Sequence, residues 1–175
     1  MIRQENEEFF KRQQNGYRDH HGYETVTLIA GSIGAFFSMN AGIEAMIGRA
    51  YFISPVVDME RLISDMMTQA DVTEEELKAK GVIPTAFGED LSWEYLCYVR
   101  QHPVQWHVPT EILYGSRDSL TSYETVSAFA KKCGAGLTVM EGGEHWFHTD
   151  EQMRFLDEWI RRNETQTADN GSRLV

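Results

Sequence analysis

Three residues in this chain have side chains suited to acyl chemistry: Ser32, Asp118 and His145. Ser32 lies in Thr25-Val26-Thr27-Leu28-Ile29-Ala30-Gly31-Ser32-Ile33-Gly34-Ala35, where a β-branched run ends in small residues around a serine. An apolar run of helical length, Ile33 to Ile47, follows at once. The pattern predicts a strand, a sharp turn and a helix, with Ser32 at the turn. A small-x-Ser-x-small arrangement permits so tight a reversal, because a larger Cβ at Ala30 or Gly34 would meet the facing strand or helix. Ser32 would stand at a helix N-terminus, where backbone N–H groups and the helix dipole favour a developing negative charge. That setting suits a nucleophile. Serines also cap helices, and this stretch alone leaves both readings open.

Asp118 follows Thr110-Glu111-Ile112-Leu113-Tyr114, a predicted strand, through Gly115-Ser116-Arg117. His145 follows a predicted strand, Gly136 to Glu141, through Gly142-Gly143-Glu144. All three residues thus lie just past the C-terminal ends of predicted parallel strands, the edge at which open α/β sheets bind ligands. Their chain order is Ser, Asp, His. The chemistry needs each of them. The hydroxyl attacks an acyl carbonyl, and a neutral imidazole takes its proton and returns it to the leaving group. The carboxylate fixes the imidazole tautomer and stabilises the imidazolium. Glu144 is a rival acid and His148 a rival base. His145-x-x-His148 has metal-ligand spacing but no third ligand in the sequence, so no metal is expected. His20, His21, His102 and His107 read as surface or satisfied core residues.

With these motifs (Leu-Ile-Ala-Gly-Ser-Ile-Gly-Ala, Ile-Leu-Tyr-Gly-Ser-Arg-Asp and Gly-Gly-Glu-His-Trp-Phe), residues Tyr23 to Arg161 resemble the α/β hydrolase superfamily. The resemblance is to its serine esterases, lipases and acyl-thioesterases with a helical lid. It implies Ser32 as nucleophile, Asp118 as acid, His145 as base and the Ile33 backbone N–H as one oxyanion donor, with no cofactor. The implied activity is hydrolysis of a small-molecule ester or thioester. Acyl transfer on the same fold, or a non-catalytic remnant that binds acyl groups or a partner, are the alternatives.

The chain departs from the family in one respect. Several strands and a loop with a second oxyanion donor precede the nucleophile strand in that family, and too few residues precede it here. The expectation is a truncated product, or a reduced variant that completes its sheet with another chain. The bare outer edge of the Ser32 strand then predicts a homo-oligomer or a poorly soluble chain.

The remaining elements must position this site. The fold class expected is α/β: about four mostly parallel strands, a partial α/β hydrolase sheet, with a helical lid insertion over about 56–108. Residues 1–162 read as one domain and 163–175 as a disordered polar tail. Strands are expected at Thr25–Ala30, Arg49–Ser54, Thr110–Tyr114 and Gly136–Glu141. Helices are expected near Glu5–Gln14, from Ser32 until Gly48 stops the run, and at Met59–Thr68. Others should follow Thr73 as far as Gly81, and span Ser92–Gln101, Ser122–Lys132 and Asp150–Arg161. The run after Ser32 is apolar nearly all round and should be well buried. The last helix should put Met153, Leu156, Trp159 and Ile160 on one face, with Asp150 as its cap.

Composition narrows the setting. The 175 residues carry a formal charge of −11, which argues against a nucleic-acid surface. No apolar run approaches the ~20 residues of a membrane span. The polar start of the sequence does not read as a signal peptide. Cys97 and Cys133 lack metal or redox spacing. These features predict a cytoplasmic protein.

Overall fold

The computed structural model describes residues 26–171, with side chains as far as Thr165. The helix expected near Glu5–Gln14 lies outside the described residues. Four parallel strands form the main sheet in the order β1-β2-β5-β6. They are β1 (Val26–Gly31), β2 (Ile47–Ile53), β5 (Thr110–Gly115) and β6 (Gly136–Met140). In register, Gly31 lies opposite Ile53, Ile53 opposite Leu113, and Gly115 opposite Met140. Three loops therefore leave the sheet along one edge.

Both faces of the inner strands are buried, as a covered parallel sheet requires. One face packs Phe52, Ile112 and Tyr114 against Ala35 and Met39 of α1 (Ser32–Asn40) and Val126 and Ala130 of α5 (Tyr123–Cys133). The other packs Tyr51, Leu113 and Met140 against Phe147 and Trp159, with Phe155, Leu156 and Ile160 alongside. Trp159 belongs to α6 (Asp150–Gly171). β1 differs: Val26, Leu28 and Ala30 face the first core, while Thr27, Ile29 and Gly31 are exposed.

Several expectations shift. The helix after Ser32 stops at Asn40 rather than at Gly48. Gly42 takes a left-handed conformation (φ 68°), and a 3-10 turn at Glu44–Met46 leads directly into β2. Gly48 is therefore a strand residue. Ile43, Met46 and Ile47 are buried all the same, although they lie outside the helix. Ile33 and Phe37 of α1 are exposed, against the expectation of burial all round. α6 is capped by Thr149, whose hydroxyl accepts from the Gln152 N–H at 3.3 Å, and not by Asp150. Met153 is exposed, and Phe155 joins the buried face instead. The helix continues to Gly171, through much of the stretch read as tail.

The insertion between β2 and β5 holds α2 (Met59–Gln69), α3 (Glu74–Lys80) and α4 (Trp93–Gln101). The capping box read at Thr73 is present: its hydroxyl accepts from Glu76 N–H, and the Glu76 carboxylate accepts from Thr73 N–H, both at 3.2 Å. The insertion is not all helical. An antiparallel hairpin, β3 (Val82–Pro84) with β4 (Asp90–Ser92), separates α3 from α4. The helices and the hairpin share a core of Met59, Ile63, Met67, Leu77, Leu91 and Leu96, which also takes in Phe36 of α1. The insertion is thus packed onto the helix that begins at Ser32.

Arg100 ties three insertion helices together, donating to Glu60 at 2.7 Å and forming a two-bond fork with Glu74 at 2.8 Å. The Arg100 fork holds the Glu74 carboxyl below its ordinary value. A lowered folded-state value stabilises above the unfolded value and is lost as pH falls through the folded one. Both groups are solvated, so the effect is small and salt-sensitive. Arg100→Ala should lower the melting temperature at neutral pH and low salt, and the gap to wild type should close at pH values below the Glu74 transition. Circular dichroism melts across pH check this.

Candidate active site

Ser32 begins α1 directly after Gly31, and its backbone is left-handed (φ 49°). This conformation is uncommon for a residue with a Cβ. The Ser32 carbonyl accepts from Val56 N–H at 3.0 Å, so the segment leaving β2 braces the turn. The Ile33 N–H lies in the first turn of α1, where amides have no intrahelical acceptor.

The loops after β5 and β6 are joined through their backbones. Ser116 N–H donates to Met140 O at 3.0 Å, and Arg117 N–H donates to Gly143 O at 2.8 Å. Gly142 N–H donates to Ser116 Oγ at 2.8 Å. A Cβ on Gly115 would lie 2.5 Å from Gly143 O, so only glycine fits this crossing.

This stitching brings Asp118 and His145 together. Asp118 Oδ2 lies 2.8 Å from His145 Nδ1, and His145 Nε2 lies 2.8 Å from Ser32 Oγ. The Asp118 and His145 side chains are 0% and 4% exposed, so their contact is dry. Burial pushes the Asp118 carboxyl upward. Hydrogen bonds from His145 and from the Thr121 and Leu120 backbone outweigh it and hold the carboxyl below its ordinary value. A carboxylate can only accept, so Nδ1 carries the proton and Nε2 presents its lone pair to the Ser32 hydroxyl. The three residues form one hydrogen-bonded line with the tautomer fixed from its buried end.

The rivals stand elsewhere. Glu144 and His148 are both solvent-accessible and face each other at 3.4 Å. Among the described residues, no group of three His, Cys, Asp or Glu is placed to hold a metal ion. A cavity of about 420 Å³ lies within the insertion, lined by Ala70, Val72, Ile83, Pro84 and Phe87 among others, and none of the three residues lines it. The hairpin beside this cavity, with its three-residue strands, left no periodic signal in the sequence. Sequence reasoning quoted Gly115, Gly143 and Trp146 within motifs but gave them no role. The Gly142-Gly143 pair was the available signal for a close backbone approach.

No family model matches the sequence, and no curated protein matches it. Solved structures do. The mouse alpha/beta hydrolase domain-containing protein 10 aligns with a TM-score of 0.68 at 13% identity, over 90% of this chain and 68% of its own. Est1E from Butyrivibrio proteoclasticus aligns at 0.57 and 17%, over 78% of this chain and 62% of its own. An alpha-beta serine hydrolase homologue from Coxiella burnetii aligns at 0.55 and 19%, over 88% and 56%. The chain therefore has the α/β hydrolase fold, and it spans about 56–68% of the length of these proteins.

Gly115→Ala should force the two stitched loops apart. We expect a loss of about 1–3 kcal/mol, the cost of an overpacked contact with no room to relax, measured by denaturant titration.

Proposed function

We propose that this chain hydrolyses a carboxylic ester or thioester through an acyl-Ser32 intermediate. The observation that carries the reading is the unbroken line Asp118–His145–Ser32, both contacts at 2.8 Å. In this reading Ser32 Oγ attacks the acyl carbon as its proton passes to His145 Nε2. Asp118 holds the imidazole and stabilises the imidazolium. The Ile33 N–H, at the positive end of α1, faces the developing oxyanion. Collapse expels the alcohol or thiol, which takes the proton from Nε2. Water then repeats the sequence on the acyl-enzyme. An alcohol or thiol in place of water makes the same site an acyltransferase. One of these structural relatives is named as an alpha-beta serine hydrolase homologue, which supports the class. The cysteines Cys97 and Cys133 are unpaired, in keeping with a cytoplasmic setting, and no described helix is long and apolar enough to cross a membrane.

A fluorophosphonate probe should label wild type at Ser32. Ser32→Ala should abolish labelling, and His145→Ala should slow it severely. On a p-nitrophenyl ester, each variant should lose nearly all turnover, and the double variant should lose no more, because the residues act as a unit. Asp118→Asn should cost about 10³–10⁴ in kcat by presenting the wrong tautomer. Normal turnover by Ser32→Ala would overturn the reading.

We also propose that β1 is a self-association edge. Among the described residues it pairs only with β2, and Ile29 on its uncovered face is 51% exposed. Two copies meeting edge to edge across a two-fold axis would continue the sheet. Light scattering should report a dimer. A stable monomer at high concentration would overturn this.

A further inference from the structure

We propose that Trp146 is the leaving-group platform of this site, an indole wall that favours esters of aromatic alcohols. The inference rests on the acyl-Ser32 reading. Trp146 is 73% exposed, the most open of the large apolar side chains among the described residues. Its ring meets the His145 imidazole edge-on, with centroids 5.1 Å apart and planes at 85°. The neighbouring ring goes the opposite way: Phe147 is 2% exposed and sits in the second core. The backbone at Phe147 is left-handed (φ 46°), a conformation that bulky residues adopt only when their surroundings impose it. Burial of Phe147 thus holds the turn that leaves Trp146 outside, against the imidazole.

The side of the substrate this ring meets follows from the proton path. When the tetrahedral intermediate collapses, the bond from the acyl carbon to the leaving oxygen breaks, and its electron pair stays on that oxygen. The oxygen takes the proton from His145 Nε2, leaving acyl-Ser32, free alcohol and neutral imidazole. The leaving group must therefore lie beside the imidazole. A group lodged there meets the exposed indole, and an aromatic one gains both apolar contact and ring–ring attraction. Attack of an acceptor alcohol on acyl-Ser32 is the reverse of this step, so the same ring selects acceptors.

The test compares methyl and benzyl butyrate, which share an acyl group and have leaving alcohols of similar acidity. Trp146→Ala should lower kcat/KM on the benzyl ester about tenfold, with a change of no more than about twofold on the methyl ester. Trp146→Phe should retain most of the preference. An equal fall on both esters would mean that the indole acts only through His145, and no fall would mean that it does not touch the substrate. Either overturns the proposal. A second readout needs no turnover. In Ser32→Ala, benzyl alcohol should shift the Trp146 indole N–H resonance, assigned by its loss in Trp146→Phe, and leave those of Trp93, Trp106 and Trp159 in place. Absence of that shift overturns the platform. Failure of wild type to label with fluorophosphonate overturns the acyl-Ser32 reading on which it rests.

Discussion

No side chain fits between Gly115 and Gly143, and the geometry of the site depends on that contact. A Cβ at Gly115 would stand 2.5 Å from a carbonyl oxygen and 2.6 Å from its carbon, both backbone atoms that cannot swing away. With hydrogen in that place, the loops after β5 and β6 run in backbone contact and exchange hydrogen bonds directly. Asp118 and His145 then inherit their separation from two strands already fixed by the sheet register. Each side chain has little left to search, because the backbone brings the pair within hydrogen-bond range before any rotamer is chosen. This preorganisation is what a proton relay needs.

Strain collects at the same edge. Four described non-glycine residues have left-handed backbones, and three of them lie just beyond the C-terminal ends of main-sheet strands: Ser32 after β1, Ser54 after β2, and Phe147 in the loop after β6. Such a residue costs roughly 1–3 kcal/mol and persists only where its surroundings over-determine it. The surroundings here do so. Ser54 is fully buried and its N–H donates to Leu113 O at 2.8 Å. Phe147 fills the core around Tyr51, Leu113, Met140 and Trp159. Ser32 is braced by Val56 N–H. Close packing below the sheet edge offsets the strain above it, and the result is a serine turned out of the regular backbone toward His145 Nε2.

Much of this was legible in the sequence. The four strands, their parallel arrangement and the meeting of Ser32, Asp118 and His145 follow from β-branched runs that end in small or polar residues. These are local signals, and the sheet turns them into proximity. What escaped was set by contacts rather than pattern. The run from Ile33 to Ile47 is apolar whether helical or not, so only the left-handed Gly42 shows where α1 ends. The hairpin Val82–Pro84 with Asp90–Ser92 is too short for periodicity and contains a proline. Thr149 displaces Asp150 as a cap, although both have the chemistry for it, because the backbone reverses one residue earlier. Trp146 stood in a quoted motif without a role of its own, because only the fold shows the ring that it touches.

The line of three residues runs from dry to wet. The Asp118 side chain is fully buried, that of His145 almost so, Ser32 is half-buried, and Trp146 beyond them is 73% exposed. A carboxylate sealed from water would ordinarily be pushed toward its neutral form. Here the hydrogen bonds from Leu120, Thr121 and His145 reverse that tendency, so the buried end keeps its negative charge. In a low-dielectric setting such a charge acts strongly on an adjacent ring and is little screened by salt. Its field reaches the imidazole without competition from solvent, while the hydroxyl end is only half-buried. Burial at one end and access at the other give the line its direction: the charge is fixed inside the protein, and the hydroxyl lies toward the surface.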